Sequence, residues 1–307
     1  MQFGTIFPHG EIEPDAGAIR AWTLGVEEMG YAEILCYDHV IGANAASRPG
    51  WQGYDLDSPF HEPVSLLSFM AAITSRVGLA TNVMILPQRQ TVLVAKQAAT
   101  LDILCGGRLR LGVGTGWNHV EYEALGADFG KRGKVFDEQI DVLRALWTQR
   151  AVTLDTPFHK ITDAGIWPLP IQRPIPLWLG GGGVHPIKGW GNVERVLRRI
   201  AGKADGWMAT IDPDDTGAEL VARFRAYCRD SGRDEGDVPI EALLMPAMHK
   251  DPVATARAWE KLGARQMGIN VTGTGARGVD DLLARLAEVR AVLRDAGLWI
   301  DAGGNRE

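Results

Sequence analysis

The stretch Leu101-Asp102-Ile103-Leu104-Cys105-Gly106-Gly107-Arg108-Leu109-Arg110-Leu111-Gly112-Val113-Gly114-Thr115-Gly116-Trp117-Asn118 holds a complete turn of the chain's architecture. Val94, Ala98 and Leu101 before it recur at the helical spacing, and Gly106-Gly107 ends that helix where a residue free to take a positive φ is needed. Arg108 then leads into a short apolar run, 109–113, and glycines crowd the end of that run. Helix, glycine stop, buried strand and glycine-rich exit form the repeating grammar of a parallel sheet with crossover helices.

The same alternation extends in both directions. Strand candidates are 3–7, 32–36, 77–86, 109–113, 175–179, 206–209, 240–245 and 267–271. Between and after them lie helix-period sets such as Ile19/Trp22/Val26/Met29, Phe136/Ile140/Leu143/Trp147 and Leu282/Leu286/Val289/Leu293. Asp251-Pro252 has the form of an N-cap followed by a first helical residue. Eight strand and helix units in strict alternation predict an α/β fold, a (β/α)8 TIM barrel, as a single domain over 1–307. An open doubly wound sheet would carry G-x-G-x-x-G after its first strand, and that is missing. Two segments exceed ordinary loops: 40–61 after the second strand and 151–174 before the fifth, the latter rich in proline and aromatics and expected to form a hairpin or lid. Most of the pocket lining is expected to come from these two.

Composition narrows the function classes. A net charge of -6 with 32 Lys and Arg scattered along the chain argues against a nucleic-acid partner. No apolar stretch approaches the ~18 residues of a membrane span, and no secretory leader is evident. The cysteines Cys36, Cys105 and Cys228 are far apart and form no C-x-x-C pair, which fits a reducing, cytoplasmic setting. No histidine spacing indicates a metal site.

In a barrel of this kind ligands bind at the C-terminal strand ends. The candidates there are Pro8-His9-Gly10, Tyr37-Asp38-His39, Pro87-Gln88-Arg89, Gly114-Thr115-Gly116-Trp117-Asn118, the run Gly180, Gly181, Gly182, Gly183, and the segments 246–249 and 272–275. Four consecutive glycines at a strand end offer backbone N–H groups with no Cβ in the way, as a closely held phosphate requires; a flexible turn is the alternative. The run follows the fifth strand, whereas the commonest barrel phosphate site follows strands seven and eight. Gly114 and Gly116 permit close approach of a flat ligand, Trp117 can stack on it, and Asn118 can bond its phosphate or ring edge; a strand-to-helix turn with Trp117 packed under a loop fits as well. His39 suits proton transfer near neutral pH or a structural hydrogen bond. Asp38 and His39, being consecutive, should point to different sides of the strand. Glu62 reads as a helix-start carboxylate.

Taken with Gly30-Tyr31, Gln97, Gly106-Gly107-Arg108-Leu109 and Ala204-Asp205-Gly206-Trp207, these motifs resemble the bacterial-luciferase-like superfamily over nearly the whole chain. The likeness is strongest to its short members that use the deazaflavin coenzyme F420. The resemblance implies a homodimeric barrel acting on a small molecule, with the cofactor ring in the strand-end pocket. It places Asp38 and His39 beside the ring, Asn118 near the phosphate tail, and the glycine run as the phosphate cradle. It also implies a non-prolyl cis peptide at Asn82-Val83 backing the ring, and extends the cofactor site to Tyr122. Relatives that oxidise sugar phosphates carry a carboxylate where this chain has Trp117 and a tryptophan after His39 that is missing here, so the glucose-6-phosphate reaction is not expected. The expectation is hydride transfer between F420 and a small organic substrate, with His39 as the catalytic proton donor or acceptor. The alternatives are an FMN-dependent monooxygenase, a non-catalytic flavin or deazaflavin carrier, and an ordinary sugar-phosphate barrel enzyme.

Overall fold

A computed structural model describes residues 1–183 and 189–300. Residues 184–188 and 301–307, part of the expected single domain, lie outside the described residues. The barrel strands are β1 (Gln2–Ile6), β2 (Glu33–Cys36), β3 (Gly78–Thr81) continued by β4 (Met84–Ile85), β5 (Leu109–Gly114), β8 (Leu177–Gly181), β9 (Gly206–Ala209), β10 (Ile240–Leu244) and β11 (Ala264–Ile269). They pair in parallel in the order β3-β2-β1-β11-β10-β9-β8-β5, and β3 pairs with β5 to close the ring. The closing register sets Leu79 beside Leu109 and Ala80 beside Arg110. Eight barrel strands with surrounding helices confirm the (β/α)8 reading.

The helices are α1 (Ala16–Glu28), α2 (Pro63–Ile73), α3 (Thr91–Leu104), α4 (His119–Ala124), α5 (Arg132–Thr148), α6 (Gly189–Lys203), α7 (Asp215–Asp230), α8 (Pro252–Lys261) and α9 (Gly278–Asp295). Among them α4 is the one that the apolar spacing did not indicate, since its 6 residues are too few to show a period. The expected end signals are in place. Asp251 caps α8 by accepting from the Ala254 N–H, and Gly106 and Gly107 take φ of 67° and 81° beyond α3. Glu62 caps α2 through the Ser65 N–H.

Strand alternation divides the core in two. Ile34, Cys36, Leu177, Leu179 and Trp207 face outward under the helices, while Leu35, Trp178 and Met208 face into the barrel. The interior is tight: a Cβ on Gly4 would stand 2.8 Å from Leu35 Cδ1. Low in the barrel, Arg110 of β5 bonds both Glu33 of β2 and Glu241 of β10, and its guanidinium lies 4.2 Å over the Trp178 ring. Burial raises the Glu241 carboxyl above its ordinary range against the opposing pull of Arg110.

The expected strand 77–86 is broken in two, and the cis peptide bond Asn82-Val83 lies in the break. The segment 151–174 does form a hairpin, β6 (Val152–Asp155) against β7 (Lys160–Ala164). It is not placed as a lid. Because it joins the end of a helix to the start of a strand, it runs along the outside of α3 and α5, where His159 meets Thr91 and Glu138, and Gln172 bonds Asp102. Among the described residues, no helix is long and apolar enough to cross a membrane.

Candidate active site

The C-terminal ends of the parallel strands open on one face, and there they enclose a cavity of about 400 Å³. Of the long segments, 40–61 contributes Tyr54 to its wall and 151–174 contributes nothing. The lining comes chiefly from strand ends, which corrects the expectation that the two loops would supply most of it. Rigid elements carry the site.

Val83 forms part of one wall. A Cβ on Gly114 or on Gly180 would come within 2.7 Å of a Val83 methyl carbon, so the absence of side chains at both positions is what lets that residue sit between β5 and β8.

Asp38 and His39 diverge as consecutive strand residues should. Both oxygens of the buried Asp38 carboxylate are used by the protein: Arg89 Nη2 donates at 2.7 Å, and the Ile85 N–H at 2.8 Å. Asp38 lines the cavity, but its charge anchors β4 and the wall that Val83 belongs to. His39 turns the other way and meets Glu121, with Nδ1 2.8 Å from Oε1. The same carboxylate accepts from the Val40 N–H at 3.3 Å and from Gln88 Nε2 at 3.0 Å. Burial by itself would raise the Glu121 carboxyl, but the donors His39, Gln88 and Val40 outweigh it and hold it below the ordinary carboxylate range. An ionised carboxylate only accepts, so Nδ1 carries the proton and Nε2 is the nitrogen without a partner among the described residues. His39 is packed by Tyr54 and Phe60, with ring centroids at 4.3 and 4.8 Å.

Glu121 was not among the sequence candidates. Its signal was local: Asn118 caps α4 by accepting from the Val120 N–H, and Glu121 sits in the first turn of that helix, directly beyond the glycine-rich exit of β5. The site therefore does hold a carboxylate, although not at position 117. Trp117 is 47% exposed and stands at the rim, flanked by Trp51 and Tyr54, with a Cβ on Gly53 only 2.2 Å from its ring tip. Tyr122 corrects another expectation. It is buried against Phe129, its hydroxyl donates to the Thr115 carbonyl at 2.7 Å, and it does not line the cavity.

At the end of β1, His9 is enclosed by Phe7, Phe60 and His61, and its Nδ1 accepts from the His61 N–H at 3.3 Å. Burial, then the neighbouring His61 and His39, push its pKa down to about 3.

Two features fit an anionic, flat ligand. Asn118 is buried and lines the cavity, and its Nδ2 donor has no partner among the described residues. Next to the main cavity, all four glycines of the run line a cleft of about 210 Å³ with Asn192, Val193 and Val196 of α6. β8 ends at Gly181, and Gly182 follows at φ 109° with a Cβ position only 2.6 Å from the Trp207 ring. For the N–H groups of Gly182 and Gly183 no hydrogen bond is present among the described residues. The two cavities meet at Thr115, Gly180, Gly181 and Thr210.

Comparison with known proteins agrees with the fold. An uncharacterised protein of Mycobacterium tuberculosis is 34% identical over 235 residues, covering 76% of each chain. The F420-dependent glucose-6-phosphate dehydrogenase of Kineococcus radiotolerans is 28% identical over 298 residues, covering 92% of this chain and 79% of its own. Among solved structures, the monooxygenase RslO1 of Streptomyces bottropensis superposes with a TM-score of 0.72 at 19% identity, covering 95% of this chain and 98% of that one. The profile of the luciferase-like monooxygenases matches residues 1–291, and the chain belongs to that family.

Proposed function

We propose that this protein transfers hydride between coenzyme F420 and a small organic substrate, with His39 moving the accompanying proton. The observation that carries this reading is the His39–Glu121 pair set in the wall of a cavity that opens into the glycine cleft. When bound, the deazaflavin ring supplies the carbon that gives or takes the hydride. Asn118 Nδ2 and the N–H groups of Gly182 and Gly183 would hold the polar edge and the phosphate. Val83 and the flanking Gly114 and Gly180 would form the face against which the ring lies. Glu121 fixes the proton on Nδ1, so Nε2 can accept a proton from a substrate hydroxyl, and the adjacent negative charge stabilises the imidazolium that results. In the reverse direction Nε2 returns that proton.

The test is equilibrium titration of the purified protein with F420 and with FMN, followed by a substrate screen under anaerobic conditions. Saturable binding of F420 is expected. Saturable binding of FMN alone would overturn the deazaflavin reading in favour of a flavin monooxygenase. Once a substrate is found, unchanged turnover in His39→Ala would remove His39 as the proton-transfer residue.

A further inference from the structure

We infer that a basic groove beyond the glycine cleft binds the carboxylates of a cofactor tail that extends past the phosphate. The groove, of about 630 Å³, shares Thr115, Asn192, Val196 and Arg199 with the glycine cleft, so the ring cavity, cleft and groove are contiguous. Its described lining includes four cations, Arg132 and Lys134 at the start of α5 and Arg195 and Arg199 on α6, against a single carboxylate, Asp137. That carboxylate is taken by Arg199 at 2.6 and 3.1 Å. Arg132 is fixed in place by stacking 3.8 Å over Phe129 and by donating Nη1 to the Phe129 carbonyl. Among the described residues no carboxylate pairs with Arg132, Lys134 or Arg195.

Such an excess of positive charge stands out on a chain of net charge -6, where scattered compensation would be expected. A lone phosphate in the glycine cleft would meet Arg199 at most and would not reach Arg132, Lys134 or Arg195, which line the groove alone. A ligand that continues past its phosphate into a string of carboxylates would reach them, and arginine in particular matches a carboxylate with two parallel N–H groups. The oligoglutamate tail of coenzyme F420 has that chemistry, and FMN has no counterpart to it. The inference therefore rests on the deazaflavin reading and adds to it the site that would distinguish the two cofactors.

The experiment measures dissociation constants, from cofactor fluorescence, for F420 with its oligoglutamate tail, for the 5′-phosphate of the same deazaflavin without the tail, and for FMN. Each is measured at low and high salt with the native protein and with Lys134→Glu/Arg195→Glu, two exposed positions outside the glycine cleft. The native protein should bind the tailed cofactor roughly ten-fold tighter than the tail-less phosphate at low salt, with the gap closing at high salt. The double variant should lose that gap while binding the tail-less phosphate as before. Equal affinity of the native protein for both deazaflavins would overturn the groove and leave the cofactor reading intact, as would an equal loss for both in the variant. Binding of FMN with neither deazaflavin would overturn both.

Discussion

Replacing Glu121 by glutamine removes one charge from the site while nearly preserving its shape. The carboxylate now accepts from His39 Nδ1 and Val40 N on one oxygen and from Gln88 on the other. In Glu121→Gln the first oxygen can stay, but the second becomes an NH2 group facing the Gln88 Nε2 donor. Gln88 can answer by turning its amide over, because its Oε1 is buried and without a partner among the described residues. Three charge-assisted bonds become neutral ones and none need be lost, so the cost is about 1 to 2 kcal/mol, a fall of a few degrees in Tm. Catalysis should suffer more. A charge pair ~4 Å apart at an effective dielectric of ~20 is worth about 4 kcal/mol, and the glutamine dipole returns part of that. The remaining ~2 to 3 kcal/mol corresponds to roughly a 30- to 150-fold slower step wherever His39 becomes positively charged. Glu121→Ala, which strands the three donors, should cost about 2 to 4 kcal/mol in stability. Proton NMR offers a readout that needs no substrate. The Nδ1–H of His39 should appear far downfield in the native protein, persist in Glu121→Gln and vanish in Glu121→Ala. Native-like turnover in Glu121→Gln, or a native spectrum in Glu121→Ala, would refute the dyad.

Two other outcomes follow from geometry and burial. Gly182→Ala places a methyl 2.6 Å from the Trp207 ring at φ 109°, so it should destabilise the protein by about 1 to 3 kcal/mol and weaken a phosphorylated cofactor about ten-fold; titration with the unphosphorylated ring should show no such loss, and equal losses for both would count against a phosphate cradle. His9 protonates at about 3 in the fold instead of 6.5, so the unfolded chain binds the extra proton between those values and the stabilisation from neutral His9, complete above pH 6.5, is lost as pH falls toward 3. The loss is about 1.4 kcal/mol per pH unit at most, and urea unfolding of His9→Gln across this range should give a shallower curve than the native protein; superimposable curves would remove His9 as the source.

The barrel was legible because each of its signals is local. Short continuous apolar runs such as Ile34-Leu35-Cys36 and the helix-period sets between them each lie within a few residues, and the glycines that end α3 announce themselves in sequence. The glycine run and the strand-end residues could be placed on one face from fold geometry alone. Partnerships could not. Glu121 lies 82 residues from His39, and Arg89 lies 51 from Asp38; only the side-by-side pairing of β2, β3 and β5 brings each pair together. The resemblance extends the cofactor site to Tyr122, yet Tyr122 stands one helical step beyond Glu121 and is turned under the loop, where its hydroxyl bonds the Thr115 carbonyl. The hairpin at 151–174 was recognisable as a structure, but whether it covered the pocket depended on which end of the barrel it leaves from.

The cluster of Glu33, Arg110 and Glu241 bears on how the molecule can move. It ties three separated strands across the interior at a depth where separating any pair would strand a charge away from water, a loss of about 3 to 5 kcal/mol. Compliance is therefore concentrated at the mouth, where Trp117 and the 40–61 loop can shift by rotating side chains against one another. The rim can rearrange while the lower staves keep their spacing, so the wall at Val83 and the His39–Glu121 pair hold one geometry.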